Sequence, residues 1–215
     1  MKKIINLIVT AIVAIPLFAQ ADKSDAVNIT HEVPYVDIIH KGKTVRIKRI
    51  SERDNYVEPD YAITSRPCPP YCIQPIELAA GIETIGELEI IDYLKKLSAG
   101  DDSIVVIDSR EAEWLNKGMI PGAINIPWTK LFNKTASPAQ VKDILQLSFG
   151  AVFADGLWNF QNAKTLVFYC NGAWCGQSPT NIKSLVNHGY PVSKLKWYRG
   201  GMQSWKLFGL TTVVP

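Results

Sequence analysis

Two short runs constrain this chain more than any other feature: Ile104-Val105-Val106-Ile107 and Leu166-Val167-Phe168-Tyr169 are apolar or aromatic at every position. A strand with one face in water alternates polar and apolar residues, so a run without a polar position reads as a strand covered on both faces. Each run ends abruptly in reactive or charged groups, Asp108-Ser109-Arg110 after the first and Cys170 after the second. Helical spacing surrounds them. Leu88, Ile91, Leu94 and Leu97 recur on one helix face, and the pattern stops at Gly100. After the second run, Ser178 is expected as the N-cap and Pro179 as the first helical residue. Ile182, Leu185 and Val186 then form the apolar face, and Gly189 and Pro191 close the helix. Leu195-Lys196-Trp197-Tyr198 reads as a further strand leading to Gly200-Gly201. Strands alternating with helices predict an α/β fold with a mainly parallel central sheet flanked by helices. Such sheets gather their functional groups at the carboxyl ends of strands, where Cys170 stands.

The segment from Asn133 to Ala163 is longer than a simple connection requires. Val141, Ile144, Leu145 and Leu147 give part of it a helical rhythm, and it reads as a covering insertion in which Trp158 and Phe160 are packing residues.

The amino-terminal third has another character. Lys2 and Lys3 precede an apolar stretch from Ile4 to Phe18, and Ala19-Gln20-Ala21 offers the small residues that a signal peptidase reads. Residues 1–21 are therefore expected to be a signal peptide. The stretch falls short of the roughly 20 residues that span a bilayer, so cleavage after Ala21 with no stable membrane insertion is the reading; left uncleaved, it would be an anchor. A short, lysine-led signal of bacterial form sends the mature chain to the periplasm, where thiols meet oxidising conditions. Residues 22–82 are expected to form a small β-rich appendage. Val33–Ile39 and Lys43–Ile50 flank His40-Lys41-Gly42 as a hairpin, and five prolines crowd with Cys68 and Cys72 between Glu58 and Pro75 in a rigid surface loop. Residues 83–215 carry the α/β domain.

Charge names no partner. The chain has 23 Lys+Arg against 20 Asp+Glu, and two of the lysines belong to the signal. No basic block or interleaved aromatic patch suggests nucleic acid. With 47% hydrophobic residues the chain is also too apolar to be disordered.

A cysteine between a buried strand and a helix amino terminus sits where backbone N–H groups converge. Those donors and the positive helix end stabilise a thiolate without any cationic side chain. The loop Cys170-Asn171-Gly172-Ala173-Trp174-Cys175-Gly176 has two glycines that let it curl around such a sulfur. Cys170 is thus the candidate nucleophile, against the alternative of a small buried apolar residue.

With these residues in view, the sequence resembles the rhodanese (sulfurtransferase) family from Thr84 to Val213, in the form of an exported bacterial single-domain protein with an amino-terminal appendage. The matching landmarks are Asp108-Ser109-Arg110, the stretch from Gly118 to Pro127 with Pro121-Gly122, the Cys170 loop, and Tyr198-Arg199-Gly200-Gly201-Met202 with Trp205 and Gly209. The resemblance implies the rhodanese-like fold and no cofactor. It implies that Cys170 takes the outer sulfur of a donor such as thiosulfate, becomes a persulfide and passes the sulfur to a thiol or other thiophilic acceptor. Backbone amides from Asn171 to Gly176 would cradle that persulfide, with Asp108 and Arg110 as a supporting hydrogen-bonded pair. Typical single-domain relatives have a shorter loop, often with a basic residue; this loop has neither Arg nor Lys, which leaves the donor open. A longer loop also resembles the rhodanese-fold phosphatases, but these need Arg six positions after the Cys, and position 176 is Gly.

Cys175 has two readings, a resolving or redox thiol for Cys170 and an inert buried residue. Cys68 and Cys72 likewise are either a structural disulfide or one stage of a thiol relay. The C-x3-C and C-x4-C spacings suit structural zinc poorly, so no metal site is expected. Beside sulfur transfer, two other functions remain: a thiol-disulfide redox protein using Cys170 and Cys175, with Cys68 and Cys72, and a non-catalytic module that binds sulfur or a periplasmic protein partner.

Overall fold

The two apolar runs lie side by side at the centre of the molecule. The structure is a computed structural model and describes residues 27–67, 73 and 77–215. The expected signal peptide, Cys68 and Cys72 lie outside the described residues. In chain order the elements are β1 (Tyr35–His40), β2 (Lys43–Lys48), the helical turn α1 (Pro59–Ala62), β3 (Glu83–Ile85), α2 (Glu87–Ser98), β4 (Ile104–Asp108) and β5 (Ile124–Asn125). There follow α3 (Pro138–Asp143), β6 (Val152–Ala154), β7 (Leu157–Asn159), β8 (Thr165–Tyr169), α4 (Gln177–Asn187), β9 (Leu195–Tyr198) and α5 (Gly201–Leu207).

Five strands form a parallel sheet in the order β3-β9-β8-β4-β5. All of β4 is buried, as are the last four residues of β8, which is what a strand without polar positions requires. Alternate side chains divide the core in two. Val106, Val167, Tyr169 and Tyr198 pack with α2, α5 and the first hairpin. Val105, Ile107, Leu166, Phe168 and Trp197 face α4 and the insertion. Each fully buried aliphatic or aromatic side chain here stabilises the fold by roughly 1.5–3 kcal/mol. The register sets Asp108 beside Tyr169, so the polar ends of β4 and β8 are neighbours.

The amino-terminal hairpin forms as expected. Lys41 and Gly42 occupy its two-residue turn with φ of 49° and 74°, the left-handed pair that a tight hairpin demands. Its Val36, Ile38 and Ile47 lie in the same buried cluster as Ile90 and Leu94 of α2. Beyond β2, the Ile50 amide donates to the Gly209 carbonyl and the Thr211 amide to Lys48, which ties the hairpin to the carboxyl-terminal segment.

Several local expectations need correction. The face of α2 is centred on Ile90, Ile91 and Leu94, and Leu88 is 54% exposed, because the hairpin covers the helix one residue further round. In α4 Val186 faces outward. The insertion begins as a helix capped by Ser137, but a wider π turn from Ile144 to Ser148 rotates Leu147 into solvent while Leu145 and Phe149 enter the core. It ends in the hairpin β6–β7, unforeseen although Asp155-Gly156 is a favoured turn pair. Trp158 and Phe160 do pack, Phe160 lying 5.0 Å from the Tyr190 ring centroid. The proline-rich stretch is not only a surface loop. Pro59 opens α1, which carries Tyr61 into the core.

Candidate functional site

β8 delivers Cys170 to its carboxyl end, where the side chain is 2% exposed. The chain then turns tightly, the Cys175 amide donating to the Gly172 carbonyl at 2.9 Å, and α4 starts at Gln177. Ser178 is therefore inside the first helical turn and not its cap. Its hydroxyl donates to Cys170 Sγ at 3.1 Å, so a side chain suited to satisfy the helix end is turned to the sulfur. The backbone amides of Ser178 and Gly172 also face that sulfur, and as a thiol Cys170 donates to the Cys175 carbonyl at 3.4 Å.

Burial alone would raise the Cys170 pKa. Hydrogen bonds from the Cys175 thiol, the Ser178 hydroxyl and the Ser178 and Gly172 amides outweigh it and bring the pKa down to about 7. Cys175, 5% exposed, goes the other way. The neighbouring Cys170 sulfur and burial hold it as a thiol far above the usual range, while the Gln177 and Asn171 amides work against them. The expected cradle from Asn171 to Gly176 is thus divided: Gly172 and Ser178 serve Cys170, Asn171 and Gln177 serve Cys175, and the Cys175 amide is spent in the turn. Asn171, itself 2% exposed, has a buried Oδ1 with no hydrogen-bond partner among the described residues.

Glycine is required where α5 meets this loop. Gly201 has φ of 54°, and a Cβ there would collide with the Cys170 carbonyl and the Gly172 amide. That close approach lets the Met202 and Gln203 amides donate to the Cys170 and Asn171 carbonyls at 2.9 and 2.8 Å.

Trp174 of the loop is half-buried. Its Nε1 donates to Gln203 Oε1 at 3.1 Å, its ring lies 6.4 Å from that of Trp114, and the Arg66 guanidinium stands 4.3 Å above its centroid. Gln203 Nε2 donates in turn to the Tyr61 carbonyl, so the stretch from Tyr61 to Arg66 is docked over the loop. Sequence reasoning missed Arg66. The loop lacks a basic residue of its own, and one arrives from more than a hundred positions upstream, with no local signal to mark it. Ala173 and Gly176 are half-buried around Trp174.

Asp108 and Arg110 form a buried pair at the end of β4, with Nη2–Oδ2 at 2.6 Å and Nε–Oδ1 at 2.8 Å. Arg110 also donates to Tyr61 Oη at 3.0 Å and to the Gly118 carbonyl at 2.8 Å. Burial opposes the charge on Arg110, but Asp108 overcomes it and keeps the guanidinium protonated. Asn181 of α4 donates to Ser109 Oγ at 3.0 Å, which fixes the helix bearing Ser178 against this strand end.

Residues 91–207, more than half of the chain, match the Rhodanese-like domain. An HTH-type transcriptional regulator of Mycobacterium tuberculosis is 29% identical over 119 residues, which cover 55% of this chain and 41% of that protein. The chain thus spans about two fifths of the length of that curated relative. Among solved structures, a Rhodopseudomonas palustris protein described as a possible tyrosine phosphatase is 23% identical, covering 63% of this chain and 88% of that one, with a TM-score of 0.43. The human single-domain sulfurtransferase is 22% identical, covering 58% and 95%, with a TM-score of 0.36. From the extent of the domain match, the chain belongs to the Rhodanese-like domain family.

Proposed function

We propose that this chain is a periplasmic sulfurtransferase that moves sulfane sulfur through a persulfide on Cys170. The donor is an anionic sulfane compound, thiosulfate-like or a persulfide, and the acceptor is a thiol or another thiophile. One observation carries the reading: Cys170 ends a central parallel strand with a hydroxyl and two amides directed at its sulfur and a pKa near 7. A thiolate prepared in this way attacks the outer sulfur of thiosulfate, the S–S bond breaks, and sulfite leaves with the electron pair. The phosphatase alternative fails on the loop itself, since position 176 has no side chain with which to clamp a phosphate.

In this reading the donor reaches the buried Cys170 by displacing the half-buried Trp174 of the same loop. Among the described residues it is held by one neutral hydrogen bond, one cation–π contact and the tilted ring of Trp114, each about 1 kcal/mol. Arg66, which carries the nearby positive charge, then faces the entering anion. In this reading residues 1–21 serve as an export signal and the reaction takes place in the periplasm.

The test is to incubate the purified mature chain with thiosulfate and, separately, with inorganic tetrasulfide, and to read the intact mass. One sulfur taken from the donor by wild type, read as one added sulfur or as one equivalent of sulfite released from thiosulfate, and absent from Cys170→Ser, is the expected result. A chain that takes no sulfur from either donor, or takes it equally well in Cys170→Ser, rules the reading out and leaves a binding module.

A further inference from the structure

We propose that Cys175 is the internal acceptor of the Cys170 persulfide, so that the loop releases the transferred sulfur as hydrosulfide and closes to a Cys170–Cys175 disulfide. This adds a reductive activity to the sulfurtransferase reading and rests on that reading. Cys170 Sγ lies 3.4 Å from the Cys175 carbonyl inside one buried loop, in which both cysteines are almost fully enclosed and act on each other's ionisation. The Cys175 sulfur has a separate pair of backbone donors, the Asn171 and Gln177 amides, and Gln177 Oε1 lies 3.5 Å from it. A cysteine that only filled space would need no N–H groups aimed at its sulfur. A second thiol beside the nucleophile, able to pass its proton to the departing sulfur, is what this resolving step needs.

The step balances without a further reactant. The Cys175 sulfur attacks Cys170 Sγ, the bond between Sγ and the outer sulfur breaks, and the outer sulfur leaves with the electron pair. Starting from the ionised persulfide and the Cys175 thiol, the Cys175 proton goes to the departing sulfur, giving hydrosulfide and the disulfide at unchanged total charge. The sulfane sulfur is reduced by two electrons, and the two cysteine sulfurs are oxidised by one each. Burial and the adjacent sulfur keep Cys175 protonated until the attack, so the proton is available where the leaving group needs it. Proximity favours this route, because well-oriented intramolecular groups reach effective concentrations of about 10⁵ M or more. The loop is reset by an external dithiol, which reduces the disulfide and becomes a disulfide itself.

The experiment is a single turnover of the mature chain, fully reduced and then freed of added thiol, with stoichiometric thiosulfate and in parallel with inorganic tetrasulfide. Wild type is expected to release hydrosulfide at least tenfold faster than Cys175→Ser and to end with a Cys170–Cys175 bridge in peptide mapping. Cys175→Ser and Cys175→Ala are expected to take up sulfur more slowly, since a neighbour that lowers the Cys170 pKa is gone, and then to retain it on Cys170, which also shows that both variants fold. Wild type and variants that hold the added sulfur equally, or a wild-type bridge that joins other cysteines, overturn the proposal while the persulfide stands. No added sulfur on any chain from either donor removes the persulfide and this proposal together.

Discussion

The ends of β4 and β8 are neighbours in one sheet, both buried and both polar, yet they are built for opposite ends. At β4 the carboxylate of Asp108 is matched by the guanidinium of Arg110, whose remaining donors go to Tyr61 and the Gly118 carbonyl. At β8 the sulfur of Cys170 is met by a hydroxyl, a second thiol and two amides, none of them a cation. A buried ion pair that is completely bonded has nothing left to offer a substrate; it fixes the backbone. A buried sulfur whose ionised form is bonded by a hydroxyl and amides is held ready as a thiolate, the form that attacks. The first site is a scaffold, and the second borrows its rigidity through Asn181 and Ser109.

Removing the proposed nucleophile tests the contrast most severely. Cys170→Ser should lower sulfur transfer by about a thousandfold or more, while thermal unfolding moves by only a few degrees. A variant that loses activity because it unfolds would erase the distinction between the two strand ends. The scaffold end should respond the other way. Asp108→Ala leaves Arg110 charged and unpaired in the core and should cost about 3–5 kcal/mol in denaturant unfolding. A loss under 1 kcal/mol would show that the pair is not what holds this end together.

Ser178→Ala sharpens the comparison at the thiolate. Without the hydroxyl, the apparent pKa of Cys170 should rise from about 7 by roughly half a unit to one unit. Since the thiolate is the reacting form, alkylation by iodoacetamide should slow several-fold at pH 7 and match wild type above pH 9. The same depression has a stability consequence. The folded-state pKa of Cys170 lies below its unfolded value of about 8.5, so this group stabilises the fold above that value, and the contribution is lost as pH falls through about 7. Relative to Cys170→Ser, wild type should lose stability over that window. An alkylation profile unchanged in Ser178→Ala would mean that the amides alone hold the thiolate.

How much of this was legible in sequence follows the range of each interaction. The two-faced strands, the Cys170 position, the pairing of Asp108 with Arg110 and the glycines before α5 depend on neighbours within a few residues, and local pattern finds them. Ser178 was read as a cap because Ser before Pro is a cap locally; only the folded loop shows that its hydroxyl prefers a sulfur eight residues back. Cys175 kept two readings because the amides of Asn171 and Gln177 converge on it through a turn that no spacing encodes. Leu88 and Leu147 have the right chemistry for a core, but a covering hairpin and a π turn decide which face is inside.

Arg66 is the smallest and most specific test, since it joins the amino-terminal segment to the loop. Its guanidinium rests on Trp174 and donates to the Asp60 carbonyl, while the Asp60 carboxylate, which it also attracts, is bonded to Lys117, so part of its positive charge can act on an anion that enters near Trp174. Arg66→Gln removes the charge and keeps a planar polar group. The KM for thiosulfate should rise about three- to tenfold, more than kcat falls, and the difference should shrink at 1 M salt, where the screening length is only about 3 Å. A neutral organic trisulfide offered as donor should show little of this effect. An equal change with both donors would make Arg66 a weight on the Trp174 lid and not the charge that the loop lacks.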